Sequence, residues 1–528
     1  MVAGGVVTNS GSDEYKTLRN NTNERWIKDK GLRRLNIGIG LMFSSAAANG
    51  FDGSLMNGLS ALPQFIKNSG NVNANILGLI IAGISLGGTP TFIPASYFAD
   101  HFGRRTCVGI GSLIMVCAAI IQAATHGRWA FFGTRLMMGV GLGFAQTAAP
   151  PLTTEVAHPR HRGAVTAIFQ AIWYWGAIVS AAVTLGTLYV YNSWSWRVPC
   201  SSQALFPGLQ LLGLAIIPES PRWLVSQGRK DEASQISARY HANGDLDDSL
   251  VQFEFNEICA AIEIDKASAT KNDWISFVST AGARRRLAIC ISVGFMIQWA
   301  GNGIVSYYLA PILQTVGITD PTQQAGINLG SQVWNAICAA GGAIAAEKYG
   351  RRPLWMISTV LMLIFFVIIT ALSAIFAEKH IKAAGSAVVA FLFLFFGSYD
   401  IAYTPLSIAY PVEILPFYLR AKGLSLNLTV VFATGFFNQY VNPIALDAIA
   451  WKFYFVYIGC LFSFIFIIYF LFPETKGRTL EEIAIVFDGA QAGADMHFDL
   501  AALGGTHMRT NDNKMFQSPF KPEVEQIA

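Results

Sequence analysis

Apolar residues along this chain collect in runs near 20 residues long separated by short polar turns, and that is the length a helix needs to cross the hydrocarbon of a bilayer. About twelve runs are legible, at roughly 35–57, 75–99, 106–124, 130–150, 164–190, 203–218, 287–311, 325–347, 353–376, 383–412, 421–445 and 451–472, the sixth interrupted by Pro207. A polar stretch at 219–283 separates two sets of six. Within it, apolar residues at helical spacing in 233–240 and 253–264 predict short helices around a loop at 244–248, a disordered linker being the alternative. The expected organisation is a tail (1–34), a six-helix bundle (35–218), a linker (219–283), a second six-helix bundle (284–472) and a tail (473–528). Thr479, Leu480, Glu481 and Glu482 read as the start of a capped helix in that last tail.

The second set restates the first. Asp100, Gly103, Arg104 and Arg105 return as Glu347, Gly350, Arg351 and Arg352; Glu155 with Arg162 returns as Glu413 with Arg420. Pro218-Glu219-Ser220 returns as Pro473-Glu474-Thr475, so a unit of about 250 residues is used twice in the same direction. The predicted fold class is an all-α membrane protein of twelve transmembrane helices in two six-helix bundles related by a pseudo-two-fold axis.

Composition agrees with a membrane solvent: 53% of the 528 residues are hydrophobic and 13% charged, with a mean hydropathy of +0.42. Basic residues gather before the first and seventh runs and after the second, fourth, eighth and tenth. All of these fall on one side of the membrane if both termini are cytoplasmic. The net charge of +4 is therefore a topology signal and not a nucleic-acid footprint. The seven cysteines show no ligand spacing, so neither disulfides nor a metal site is expected. No nucleophile, metal cluster or nucleotide loop points to an enzyme or a cofactor. The first 34 residues lack an apolar core, so no cleaved signal peptide is expected.

The order and spacing of the two Gly-Arg-Arg turns, Glu155 with Arg162 and Gly163, Gln170, Pro218 to Leu224, Gln298 with Tyr307 and Tyr308, Glu413 with Arg420, and Pro473 to Thr479 resemble the sugar porter family of the major facilitator superfamily over residues 35–485. Gln298 to Gly303, Tyr410 to Pro416 and Asn438-Gln439-Tyr440 are similar to its fungal lactose-permease-like branch. The resemblance implies the major facilitator fold and proton-coupled uptake of sugars, often disaccharides. The chain departs from the hexose carriers of that family at Ile408, where a tryptophan is common, and at Ile297 and Gly303, where amides are common.

Asp52 stands midway through the first run, where an ionised carboxylate costs about 2.5 to 3.5 kcal/mol, so it must be paired, protonated or facing water. Arg135 is the expected partner. Pairing in one conformation and protonation in another would couple proton entry to a change of shape; a fixed ion pair between helices is the alternative. Carboxamides both donate to and accept from hydroxyls. Gln298 and Asn302, four apart on one helix face, are therefore candidate substrate ligands. Gln170 joins them because the family keeps a sugar-contacting glutamine there. Asn438, Tyr307 and Tyr308 complete the candidate site, and helix-to-helix hydrogen bonding or simple packing is the competing role for all six. Arg104, Glu155, Arg162, Arg351, Glu413 and Arg420 are expected at the cytoplasmic boundary as gate elements that join the halves when that face closes.

These readings converge on a monomeric plasma-membrane carrier, both termini cytoplasmic, that binds a sugar and a proton and takes up a lactose- or cellobiose-like disaccharide or a hexose. A passive sugar uniporter and a non-transporting sugar sensor are the alternatives.

Overall fold

The computed structural model describes residues 18, 20–23, 25–68, 73–267, 274–476 and 480–488. Regular structure among them is helical throughout. The first two apolar runs each become a pair of helices, α1 (Lys30–Met42) with α2 (Ser44–Ala61) and α3 (Ala74–Gly88) with α4 (Phe92–Phe102). Then follow α5 (Arg104–Ala124), α6 (Arg128–Val156) and α7 (Arg162–Thr187). The sixth run is split into α8 (Trp194–Ser202) and α9 (Leu205–Leu214), and Pro207 falls in the first turn of α9, where its missing N–H removes no intrahelical bond.

The linker contains α10 (Pro221–Ser226), α11 (Lys230–His241) and α12 (Ser249–Ala267). The second half is α13 (Ala281–Trp299), α14 (Asn302–Thr315), α15 (Pro321–Tyr349), α16 (Arg351–Lys379), α17 (Lys382–Ile414), α18 (Phe417–Ile449) and α19 (Tyr454–Leu471). α20 (Leu480–Asp488) follows; Thr479 and the tail beyond 488 lie outside the described residues.

Among the described residues, five stretches are by themselves long and apolar enough to cross a membrane: Ala74–Phe102, Arg104–Ala124, Arg351–Lys379, Ala383–Ile414 and Lys422–Leu471, the last joining two of the expected runs. The other runs fold as helices whose apolar character is diluted by inward polar groups. In α2, Asp52, Ser54 and Asn57 are all buried. Lipid contact demands apolar residues on one side of a helix only, and the inner side is free to carry chemistry.

Helices within a half approach closely where side chains are small. A Cβ at Gly50 would overlap the carbonyl of Trp173 and one at Gly176 the carbonyl of Ala47, so α2 and α7 meet backbone to backbone. Between halves, α3 lies along α18, α7 along α15 and α2 against α14. The second half packs around Trp355, Phe366, Phe395 and Tyr457, and the first around Phe51, Leu55 and Trp196.

The repeated motifs form one station at the same end of each half. Gly103 and Gly350 both take φ +97°, a conformation that suits glycine, and so turn the chain sharply into α5 and α16. The space a side chain would fill there is taken by the carboxylates of Glu219 and Glu474. These cap the exposed N–H groups of the following helices: Arg105 N donates to Glu219 at 3.3 Å, and Arg351 N and Arg352 N donate to Glu474 at 3.0 Å each. Behind each cap sits an ion pair. Arg104 Nε lies 3.4 Å from Glu155, which also accepts from the Ser220 hydroxyl, and Arg351 Nη2 lies 2.9 Å from Glu413, which accepts from Thr475 at 2.5 Å.

Candidate functional site

Between the halves lies a cavity of about 290 Å³. The first half contributes Asn49, Asp52, Ser85, Arg135, Trp173 and Tyr174 to its wall, and the second half Gln298, Asn302, Tyr307, Gln332, Asn335, Asp400, Thr404 and Gln439. Charge enters from both sides, amides mostly from the second half, and aromatic rings from both. Concave walls that alternate apolar rings with a few fixed polar groups are how small-molecule sites orient their ligands.

Asp52 and Arg135 are 5% and 2% exposed and line this cavity together, on α2 and α6. No hydrogen bond joins them: Asp52 Oδ1 and Arg135 Nε and Nη1 are buried without hydrogen-bond partners, while Arg135 Nη2 reaches the carbonyl of Ile81 at 3.4 Å. The expected salt bridge is thus open in this conformation, with its two groups still facing one cavity.

The expectation that Gln298 and Asn302 share a helix face is corrected by the backbone. Gly301 takes a left-handed φ of +100° and separates the two helices, so Gln298 lies in the last turn of α13 and Asn302 opens α14. A side chain at Gly301 would also press on Phe366, 3.0 Å from its Cβ position. Both amides nonetheless reach the cavity, and Asn302 Oδ1 has no protein partner.

Tyr307 and Tyr308 separate. Tyr307 lines the cavity, whereas Tyr308 is buried behind it and donates its hydroxyl to the carbonyl of Gln439. Asn438 is likewise outside the wall: its Nδ2 donates to Tyr457 at 2.8 Å and its Oδ1 accepts from Asn442 at 3.0 Å, a network inside the second half. Its neighbour Gln439 faces the cavity instead and accepts from Ser85 of the first half at 3.1 Å. The side chain of Gln170 lies outside the described residues.

Asp400 is the residue the sequence reading passes over. It sits in α17, 1% exposed, and accepts from the Tyr174 hydroxyl of the opposite half and from Thr404 at 2.7 Å. The signal that marks Asp52, an acid inside an apolar run, marks Asp400 equally well.

The two ends of the cavity differ. Toward the end that bears the Gly-Arg-Arg turns, a second hollow of about 130 Å³ opens between α6, α7, α17 and α18, and Ile408 borders both spaces. At the other end the halves are tied: Asn57 of α2 donates to the carbonyl of Ser306 and accepts from Leu309 N at 3.1 Å, and Asn328 reaches Ser54 at 3.5 Å.

Four of the six expected gate residues pair within halves. Arg104 with Glu155 and Arg351 with Glu413 form the two stations, and Arg420 donates to the Leu415 carbonyl at 3.4 Å. Arg162 turns to the linker, 2.9 Å from Glu254 of α12, whose other oxygen is 2.7 Å from His241 Nδ1. Burial alone would raise the Glu254 carboxyl, but His241 and Arg162 outweigh it and bring it down to about 2. Beside them, burial first, then His241, His161 and Arg160, push His158 down to about 3 against the opposing pull of Glu254.

Comparison with known proteins agrees with this geometry. The family model described as "Sugar (and other) transporter" matches residues 39–487. The MFS-type transporter criB of Aspergillus cristatus is 28% identical over 446 residues, 84% of this chain and 91% of its own. Hexose transporter 2 of Kluyveromyces lactis is 29% identical over 454 residues, 82% of this chain and 79% of its own. Among solved structures, the partially occluded inward-open xylose transporter XylE of E. coli superposes with a TM-score of 0.70 at 19% identity, covering 84% of this chain and 99% of that one. The helical halves, the polar cavity between them and the match along most of the sequence make this chain an integral membrane protein of the sugar porter family, within the major facilitator superfamily.

Proposed function

We propose that the chain is a proton/sugar symporter of the plasma membrane that alternates access to its central cavity by rocking one half against the other. The observation that carries this reading is the placement of Asp52 and Arg135 in the wall of the same cavity as the Gln298 and Asn302 amides. Protonation of an acid beside an arginine changes the charge of the space the sugar must enter, so sugar and proton act on one equilibrium. The described likeness to a proton:xylose symporter supports it. With both termini cytoplasmic, the end bearing the Gly-Arg-Arg turns is the cytoplasmic face, the hollow beneath Ile408 is the inner exit, and the conformation is closed outside. The protein works as a monomer.

The substrate is a disaccharide such as lactose or cellobiose, or a hexose as in the relatives named hexose transporters. Ile408 borders both the cavity and the exit, and an aliphatic side chain there in place of a larger ring favours the disaccharide. The test is uptake of labelled cellobiose, lactose and glucose by cells lacking their own sugar carriers, with the pH of the medium recorded. Uphill uptake with alkalinisation is expected. Downhill equilibration with no proton movement would replace symport by uniport.

A further inference from the structure

A basic cluster leads into each half, and the two clusters are engaged differently. Ahead of the second half the arginines are committed to the protein itself. Arg284 Nη1 donates to the Val278 carbonyl at 2.9 Å, Arg285 Nη2 to the Leu471 carbonyl at 3.1 Å, and Arg286 pairs with Asp488 at 2.6 Å. Ahead of the first half, Arg25, Lys28, Lys30, Arg33 and Arg34 are all exposed, and none forms an ion pair with a described residue. The single acid among residues 25–34, Asp29, is buried and already occupied, accepting from Asn23 N at 2.6 Å and from Asn243 Nδ2 at 3.2 Å.

These cations also face one way. Leu32, Leu35, Ile39 and Met42 turn the inner side of α1 into the protein. Lys30, Arg33, Arg34 and Ile37 share the opposite side, because spacings of three, four and seven residues return to one face of a helix. A Cβ at Gly31 would lie 2.7 Å from the Arg239 carbonyl oxygen, so α1 is seated backbone-close on α11 with that face outward. Ile37 is 49% exposed at the start of the first apolar run, where an outward side chain of a membrane protein meets acyl chains. Arg33 and Arg34 stand about 5 Å before it along the helix axis, at the level where the acyl chains give way to headgroups. Trp26 and Ile27, 36% and 59% exposed, are side chains of the kind that settle at the membrane–water boundary.

We propose that residues 25–34 form a binding surface for anionic phospholipid headgroups of the cytoplasmic leaflet, with Lys30, Arg33 and Arg34 against the phosphates and Trp26 and Ile27 in the boundary layer. The proposal is independent of the sugar and rests on the cytoplasmic placement of this end. Its cations are exposed and spread over ten residues, so they recognise negative charge and not the shape of one headgroup; phosphatidylserine and phosphatidylglycerol are equivalent ligands. Because the arginines ahead of the second half are held by protein, the attachment acts on the first half alone.

The test places the full-length carrier in phosphatidylcholine vesicles with a trace of spin-labelled phosphatidylserine, phosphatidylglycerol or phosphatidylcholine, and reads the motionally restricted fraction by electron paramagnetic resonance. Wild type should favour both anionic lipids about threefold over phosphatidylcholine and lose that preference in about 1 M salt, where charges are screened beyond about 3 Å. Arg33→Gln combined with Arg34→Gln should lower the preference by about half. Arg284→Gln, whose arginine is held by a carbonyl, should keep the wild-type value. An absent preference in wild type, an unchanged one in the double variant, or an equal fall in Arg284→Gln overturns the proposal. Preference for phosphatidylserine without phosphatidylglycerol overturns recognition by charge. If the double variant fails to insert, wild type in high salt decides, and a surviving preference is equally fatal. Sugar uptake is followed in the same vesicles: absent transport with the lipid preference intact would overturn the carrier reading and leave this surface standing.

Discussion

Arg351 donates twice to one oxygen of Glu413, at 3.1 Å from Nε and 2.9 Å from Nη2, while its counterpart Arg104 approaches Glu155 only through a 3.4 Å contact. The better geometry belongs to the wetter pair. The Arg351 and Glu413 side chains are 22% and 17% exposed, and those of Arg104 and Glu155 only 2% and 3%. Exposure weakens an ion pair through solvent screening, and burial raises the penalty for stranding one partner. Glu155→Ala is therefore expected to cost about 3 kcal/mol, even with Asp100 left 3.4 Å from Arg104, and Glu413→Ala about 1 kcal/mol. Thermal unfolding of the purified protein in detergent, ranking the two variants, decides it; the reverse order would show that geometry outweighs burial here.

Asp52→Asn removes the titrating group and keeps the shape of the cavity wall. The expected result is loss of uphill accumulation with sugar exchange preserved in vesicles. Arg135→Gln should give the same uncoupled behaviour, because either change abolishes the charge relation between the two. Wild-type accumulation and wild-type alkalinisation in Asp52→Asn would end its coupling role.

In the last turn of α13, Gln298 packs against Gly435, its Cδ 3.3 Å from the position a Cβ would take there, so its amide is held by packing as well as by its helix. Gln298→Ala should raise the apparent Michaelis constant about tenfold, corresponding to about 1.4 kcal/mol of lost binding. Ile408→Trp places a large ring where the cavity meets the exit. Disaccharide uptake should fall severalfold more than glucose uptake in side-by-side transport assays, and an equal fall for both would remove the passage argument.

His158 is held neutral by its surroundings down to about 3, against an ordinary value of 6.5. The undocked chain thus binds a proton between those values that the docked chain refuses, so stability is lost as pH falls through that window. Glu254 stays ionised over most of the same range and does not compensate. Hydrogen exchange of α11 and α12, corrected for intrinsic rates, should speed up between pH 7 and pH 5. His158→Gln should flatten that dependence; an unaltered slope in the variant would assign it to His161, which burial also lowers.

The helices were legible because lipid leaves the backbone no partner but itself, so an apolar run of the right length has one stable outcome. The repeat was legible for the same reason: Gly103 and Gly350, Glu155 and Glu413 stand out against apolar surroundings. Side-chain direction was harder to read. Asn438 and Gln439 are neighbours about 100° apart around α18, and only the packing of that helix decides that Gln439 faces the cavity. Gln298 and Asn302 keep helical spacing in sequence, yet Gly301 breaks the helix between them. Ion pairing was equally hidden, since the spacing of Glu155, Glu413, Arg162 and Arg351 fixes the end of the molecule on which they sit and not which half each partner belongs to. Asp400 needed no coordinates, only the rule already applied to Asp52.

The linker helices α11 and α12 are fastened to one side. Glu254 holds α12 to Arg162 of the first half, and His241 holds α11 to the Val156 carbonyl at 3.1 Å, also in the first half. Toward the other end of the chain, Asp488 of α20 is 2.6 Å from Arg286 of α13, and the Arg286 guanidinium lies over the Phe487 ring, 4.4 Å from its centroid. Each half thus wears its own collar. In the proposed rocking of the halves, α11 and α12 would be carried as cargo of the first and α20 as cargo of the second, so the seam between the collars, and not the interior of either, is where a tilt would be felt at this face.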